Sequence, residues 1–266
     1  MPPTVWRVTE AATGAGLSSL RERLPEIRAA KPLLLLLDYD GTLVPHADAP
    51  ELARPDQPLL ALLRALSARA HTAVHIVSGR TAPFLETWLT GLPLFLHAEH
   101  GALSKAPHDE RWTRRKLPAP TWREAVQPVL ARFADRTPGA MIEYKETGLA
   151  WHWRRSDAEH GNREAQALAR RLTDVIGSLP LEVLWGDKVL EVRPQGVHKG
   201  LISGPHAVRT PGKTVIAAGN DRTDEDLFEA LTATALTIVV GERPSSARYR
   251  VADVWALRDY LSDLLR

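Results

Sequence analysis

Five consecutive leucines, Leu33–Leu37, form an unbroken apolar run between Lys31-Pro32 and Asp38-Tyr39-Asp40-Gly41-Thr42. A run of that length predicts a strand buried on both faces by helices. Leucine alone favours helix; the flanking Pro32 and Gly41 turn the reading towards strand. Residues 58–70 then read as a helix, with Leu59, Leu62, Leu63 and Leu66 on one face. Thr72–Val77 is a second buried strand that ends in Ser78-Gly79-Arg80, and residues 83–89 return to helix. A short third strand, 94–96, precedes Ala98-Glu99-His100-Gly101. Strand and helix in alternation predict a parallel sheet with right-handed crossovers.

The pattern changes in the middle of the chain. Residues 120–133 and 162–177 read as helices, set among short alternating strands at 140–145, 148–153, 181–184 and 189–192. Glu146-Thr147 joins the first two strands as a hairpin, which predicts an antiparallel sheet carrying two helices. The doubly wound pattern resumes with a strand at 214–218, a helix at 223–231, a strand at Leu236–Val240 and a last helix at 254–265. An amphipathic stretch at 17–30, bearing Arg21, Arg23 and Arg28, reads as a surface helix ahead of the core. The reading is an α/β doubly wound parallel core with an inserted α+β module. It divides into an N-terminal helical segment (1–30), core (31–104), cap (105–192) and core again (193–266).

Composition narrows the classes without choosing among them. The 266 residues are 44% hydrophobic and 25% charged, as expected of a folded globular chain. Lys and Arg number 34 against 32 Asp and Glu, a balance that leaves no electrostatic footprint for nucleic acid. The basic run Arg111, Arg114, Arg115 and Lys116 reads as a solvated face. The absence of cysteine removes disulfides, thiolate chemistry and Cys-ligated metal sites, and fits a reducing, cytoplasmic setting. No apolar run approaches the roughly 20 residues that span a bilayer, and no secretory signal opens the chain.

Open α/β sheets bind ligands at the carboxyl ends of their strands. Here those ends carry Asp38 and Asp40, then Ser78, then Asn220, Asp221 and Asp224, with Lys199 ahead of the strand leading to the last group. Carboxylates, a hydroxyl and a lysine converging on one edge suit a Mg²⁺ ion and a phosphoryl group. Taken singly the signals are modest: Ser78 would serve as a helix cap, Lys199 as a solvated loop residue, and Asp226 as a charge favourable to a helix dipole.

The order Asp38-Tyr39-Asp40-Gly41-Thr42-Leu43, Ser78-Gly79-Arg80, Lys199-Gly200 and Gly219-Asn220-Asp221-Arg222-Thr223-Asp224-Glu225 resembles the haloacid-dehalogenase (HAD) phosphatase superfamily. Ala98-Glu99-His100-Gly101, Glu143-Tyr144-Lys145 continuing to His152-Trp153-Arg154, and Val189 to Pro194 narrow the resemblance to its trehalose-6-phosphate phosphatase family. The resemblance implies a HAD core with a C2B-type cap. It also implies Mg²⁺-dependent hydrolysis of trehalose 6-phosphate through an aspartyl-phosphate, with coupling to a trehalose-6-phosphate synthase. Asp38 would be the nucleophile, Asp40 the general acid and base, and Ser78 and Lys199 the phosphate clamps. The metal would fall to Asp38, Asp40, Asn220, Asp221 and Asp224. Thr42, Arg80, Glu99, His100, Glu143, Lys145, His152, Arg154, Glu191 and Arg193 would face substrate, while Glu99 and His100 read equally as ordinary surface residues or as part of the hinge between cap and core. Trp153, where the family has tyrosine, would keep a stacking surface.

One position departs from the pattern. The family's last motif opens with two aspartates after the glycine, whereas this chain has Asn220 and then Asp221, which leaves the identity of the metal ligand open. The alternatives are a phosphatase for another sugar phosphate (sucrose 6-phosphate, mannosylglycerate or glucosylglycerol phosphate) and a catalytically silent regulatory module. His71, His75, His97, His108 and His160 show no metal-ligand spacing.

Overall fold

The computed structural model describes residues 16–47, 49–204 and 212–266. In chain order it forms helices α1 (Leu17–Glu22) and α2 (Leu24–Ala29), strand β1 (Leu33–Leu37), helix α3 (Gln57–Ala68), strand β2 (Thr72–Val77) and helix α4 (Ala82–Leu89). Strands β3 (Phe95–Ala98), β4 (Leu103–Lys105) and β5 (Thr113–Arg114) follow, then helix α5 (Arg123–Asp135), strands β6 (Met141–Tyr144) and β7 (Leu149–His152), and helix α6 (Ala158–Ile176). Strands β8 (Leu181–Gly186), β9 (Val189–Pro194) and β10 (Thr214–Gly219), helix α7 (Arg222–Ala230), strands β11 (Leu236–Val240) and β12 (Tyr249–Val251), and helix α8 (Val254–Asp263) complete it.

Eight strands make the larger sheet, in the order β12-β11-β10-β1-β2-β3-β4-β5. The pairs from β12 to β3 are parallel, and only β4 and β5 are added antiparallel. The leucine run lies at the centre of this sheet, between β10 and β2. Strand alternation sends Leu33, Leu35 and Leu37 to one apolar cluster and Leu34 and Leu36 to another, on the opposite face. Helices from both faces supply those clusters, which is why an uninterrupted apolar run can be a strand here. Each fully buried leucine contributes about 2 kcal/mol.

The smaller sheet, β6-β7-β9-β8, is antiparallel throughout. It packs on α5 and α6 through a separate core of Val126, Leu130, Trp151, Leu168, Leu172 and Leu190, among others. Asp157 caps α6, its side chain accepting from the His160 amide.

Three local features differ from the pattern-based reading. The stretch 17–30 is two short helices, because Pro25 sits in the first turn of α2; their Leu20, Leu24 and Ile27 are buried against the core. The part of segment 1–30 before Gly16 lies outside the described residues. Thr113–Arg114, inside the range 105–192 assigned to the inserted module but read there as no strand, pairs with β4 in the larger sheet, while Arg193 and Pro194, assigned to the core, still pair with β8 in the smaller one. Among the described residues no helix is long and apolar enough to cross a membrane.

Candidate active site

Asp38 follows β1, and its amide donates to the Ala218 carbonyl, so the sheet itself fixes the residue. The chain then turns at Gly41, whose φ of 76° belongs to the left-handed region. A Cβ there would lie 2.2 Å from the end of the Asn220 side-chain amide and 2.4 Å from His46 Nε2, so both side chains close over the glycine. The turn brings Thr42 back to donate to Asp38 Oδ2 at 2.7 Å. The other carboxylate oxygen accepts from Lys199 Nζ at 2.6 Å, and Nζ also donates to Asp224 Oδ1 at 2.8 Å. Asp224 reaches in because Gly219 leaves room: a Cβ there would be 2.1 Å from Asp224 Cγ. Asp221 caps α7, accepting from Thr223, while Asp224 accepts from the amides of Asn220 and Asp221. This reciprocal cap makes the turn rigid.

Charge in this cluster is unbalanced. Asp38, Lys199 and Asp224 are 3%, 2% and 0% exposed, and Asp221 also interacts with both Asp38 and Lys199. Three carboxylates thus share one ammonium. Burial, with Asp221 adding to it, raises the Asp38 pKa against the pull of Lys199; burial and Asp38 together raise Asp224 well above the ordinary value. For Lys199, burial lowers the pKa but Asp224 and Asp38 outweigh it, so the ammonium is firmly held. Such a surplus of hard oxygen donors fits a divalent cation. Among the described residues no three Asp, Glu, His or Cys side chains meet as a metal-holding group. A cation at Asp38 would therefore draw on the Asp40 carbonyl as well as on side chains of the 220–221 turn.

Asp40 lines the same cavity as Asp38 and Lys199 and pairs with Arg80, which donates from Nε at 2.7 Å and from Nη2 to the other carboxylate oxygen. Arg80 also lies over the Phe84 ring, 4.4 Å from its centroid. The far wall of the cavity comes from the smaller sheet. There Lys145 Nζ donates to Glu191 Oε2 at 2.6 Å and to the Gly79 carbonyl at 3.0 Å, and His100 Nε2 approaches the same Glu191 oxygen at 3.4 Å. Burial lowers the His100 pKa to about 4, against the opposing pull of Glu191, so the ring is neutral near pH 7. Burial would lower Lys145 and raise Glu191, but each holds the other charged: Lys145 shifts up and Glu191 shifts down. Beside them His152 Nε2 and Glu143 Oε2 lie 2.9 Å apart, and Arg154 donates to Asp187 at 2.7 Å. An aspartate at a strand end, a paired lysine and a wall of forked polar groups suit a phosphorylated polyol.

A family profile described as Trehalose-phosphatase matches residues 36–255. The chain belongs to the trehalose-phosphatase family. A bifunctional trehalose-6-phosphate synthase/phosphatase of Thermoproteus tenax is 42% identical over 235 residues, covering 88% of this chain and 32% of that protein. The chain spans about a third of the length of the curated relatives it matches. The C-terminal domain of trehalose-6-phosphate phosphatase from C. albicans superposes with a TM-score of 0.86 at 28% identity, covering 97% of this chain and 99% of that one. A haloacid dehalogenase-like hydrolase of Bacteroides thetaiotaomicron, 17% identical with a TM-score of 0.58 over 87% of this chain and 98% of that one, shares the fold. The fold is the α/β fold of the HAD superfamily.

The family motifs do not all reach the cavity. Asp38, Asp40, Arg80, His100, Glu143, Lys145, His152, Arg154, Glu191, Lys199 and Asp221 line it. Thr42, Ser78, Asn220 and Asp224 stand behind that surface: Ser78 is fully buried, with its hydroxyl accepting from the Arg80 amide, and Thr42 braces Asp38. Arg193 is directed to Glu182, at 2.7 Å. Glu99 points at the β6–β7 turn, where it accepts from the amides of Glu146 (2.8 Å) and Thr147 (2.7 Å) and from the Thr147 hydroxyl.

Trp153, expected to offer a stacking surface, is instead buried. Its ring packs against Trp151 and Trp185, its Nε1 donates to Asn162, and Gly161 leaves space for it. Residues that the motif reading passed over also line the cavity, among them His46, Met141, Arg155 and Asp187. His46 follows Asp40 on the same strand-end loop and Arg155 follows Arg154, so position relative to the sheet edge was the available signal.

Proposed function

We propose that the chain hydrolyses trehalose 6-phosphate to trehalose and phosphate. The observation that carries the reading is the Asp38–Lys199–Asp224 chain at the ends of two neighbouring parallel strands, with Asp40 lining the same cavity. Lys199 donates to one oxygen of Asp38 and Thr42 to the other, which orients the carboxylate while leaving its remaining lone pairs for attack. In the first half-reaction an Asp38 oxygen bonds to phosphorus, the phosphorus–sugar oxygen bond breaks, and Asp40 delivers a proton to the departing oxygen. In the second, Asp40 takes a proton from water, the water oxygen bonds to phosphorus, and the acyl-phosphate bond returns its electrons to Asp38. Both oxygens of Asp40 accept from Arg80, so one of those contacts opens before a proton is carried there.

Mg²⁺ held by Asp38, the Asp40 carbonyl and the 220–221 turn would neutralise charge on the phosphoryl oxygens. Lys199 offers them a second positive charge. The smaller layer serves as a C2B-type cap whose Glu143, Lys145, His152, Arg154 and Glu191 read the sugar hydroxyls. The relative from T. tenax, with synthase and phosphatase on one chain, supports coupling to a trehalose-6-phosphate synthase.

Phosphate release from a panel of sugar phosphates, with and without Mg²⁺, tests the reading. Trehalose 6-phosphate should be turned over fastest, and only with Mg²⁺. Preference for sucrose 6-phosphate or mannosylglycerate phosphate would keep the chemistry and discard the substrate. Silence towards all of them would discard both.

A further inference from the structure

Asn220 stands where the family motif has an aspartate, and its surroundings show what the amide does there. One orientation satisfies all of its neighbours: the nitrogen lies 2.8 Å from the Asp40 carbonyl, 3.1 Å from Asp38 Oδ2 and 3.2 Å from Thr42 Oγ1, and the oxygen lies 3.0 Å from His46 Nε2. The Thr42 proton is directed to Asp38, so all three groups around the nitrogen present lone pairs to it. The opposite orientation would set the amide oxygen against those same lone pairs.

We propose that Asn220, aimed by His46, acts as a built-in stand-in for the cation at Asp38 and Asp40, which a divalent ion must displace in order to bind. The inference rests on the proposed reading of Asp38 and the Asp40 carbonyl as the cation-facing pair. The nitrogen hydrogens, each with partial positive charge, bridge the oxygens a divalent ion would bridge. His46 supplies the counterpart: by donating to the amide oxygen it opposes the rotation that would turn that oxygen towards a metal. Gly41 permits the arrangement, since any side chain there would overlap both residues. An aspartate at 220 would face Asp38 with like charge and leave the pair dependent on a cation. Asparagine satisfies the oxygens without one, at the expense of a formal charge for the ion.

The test measures Mg²⁺ binding by calorimetry, and thermal melting in EDTA and in Mg²⁺, on the full chain and on N220D and H46A. N220D should bind Mg²⁺ about tenfold or more tightly than the unsubstituted chain. It should melt lower in EDTA and gain more on Mg²⁺ addition. H46A adds no charge but frees the amide to turn; it should also tighten Mg²⁺ binding, by less, and melt lower in EDTA. Equal Mg²⁺ affinities in the three proteins, or an N220D chain as stable in EDTA as the unsubstituted one, would overturn the proposal. None of these measurements uses a substrate. Failure of N220D to release phosphate at saturating Mg²⁺, with the affinity shift present, would count against the hydrolase reading alone.

Discussion

Lys199 separates Asp38 from Asp224 inside the protein, its ammonium paired with both carboxylates. Replacing it by methionine leaves those carboxylates facing one another without a cation between them. K199M should therefore lose about 3–5 kcal/mol of stability, measured by urea unfolding in EDTA, as well as phosphate release; a loss below 1 kcal/mol would show that the cluster relaxes or takes up water. Asp38 behaves in the opposite sense. Its pKa is raised, chiefly by burial, so the folded state disfavours the charge that the proposed attack on phosphorus needs. D38N should abolish turnover while melting at or above the temperature of the unsubstituted chain in EDTA. At this scale the sequence names residue types but not directions. Asp38, Asp40 and Lys199 were legible because motif order ties them to strand ends. The aim of Glu99 and Arg193, and the burial of Trp153, depend on what the chain places opposite them, which no local pattern records.

Among the elements, the strands with long apolar runs were legible and the short edge strands were not. Two-residue β5 pairs with a three-residue partner, and its Thr113 and Arg114 are exposed, so it carries no alternation to detect. Adjacent strands β2 and β3 hold a feature with a pH signature. His75 Nδ1 lies 2.9 Å from His97 Nε2, and His97 Nδ1 lies 2.9 Å from Ser104 Oγ. Burial, with Lys213 adding, lowers His75 to about 4; burial, with His75 and Arg115 adding, lowers His97 to about 3. Between those values and the ordinary 6.5 the unfolded chain binds more protons than the folded one, so stability rises with pH. This contribution is fully present above about pH 6.5 and is lost as pH falls towards 4 and then 3, by up to about 1.4 kcal/mol per pH unit for each ring. Urea unfolding at pH 7 and pH 5 should reveal the slope, and H75Q/H97Q should flatten it. An unchanged slope in the double variant would assign the acid sensitivity to other groups.

Across the whole molecule, the alternation of strand and helix, its interruption and its return were enough to recover a parallel sheet with an inserted layer. The contacts between the two layers were not recoverable, because they join residues far apart in sequence. Glu99 is the clearest case: it belongs to three successive residues of positive φ, with His100 and Gly101, a strained path that holds its carboxylate against the turn at 146–147. Lys145 immediately precedes that turn and carries its ammonium into the cavity. E99A should raise KM for trehalose 6-phosphate about tenfold through the lost charge-assisted bonds, with hydrolysis of a small aryl phosphate unchanged. Equal losses for both substrates would place the defect in the core instead.

Two of the three groups that Glu99 grips are backbone amides, which every non-proline residue supplies. That contact, unlike those of Lys145 with Gly79 and of Glu191 with His100, is thereby largely independent of which side chains the docked layer displays. On the proposed reading, positions 143, 152 and 154 could be retooled for a different polyol while this contact stays the same, so diversification of what is read need not disturb the machinery that cuts.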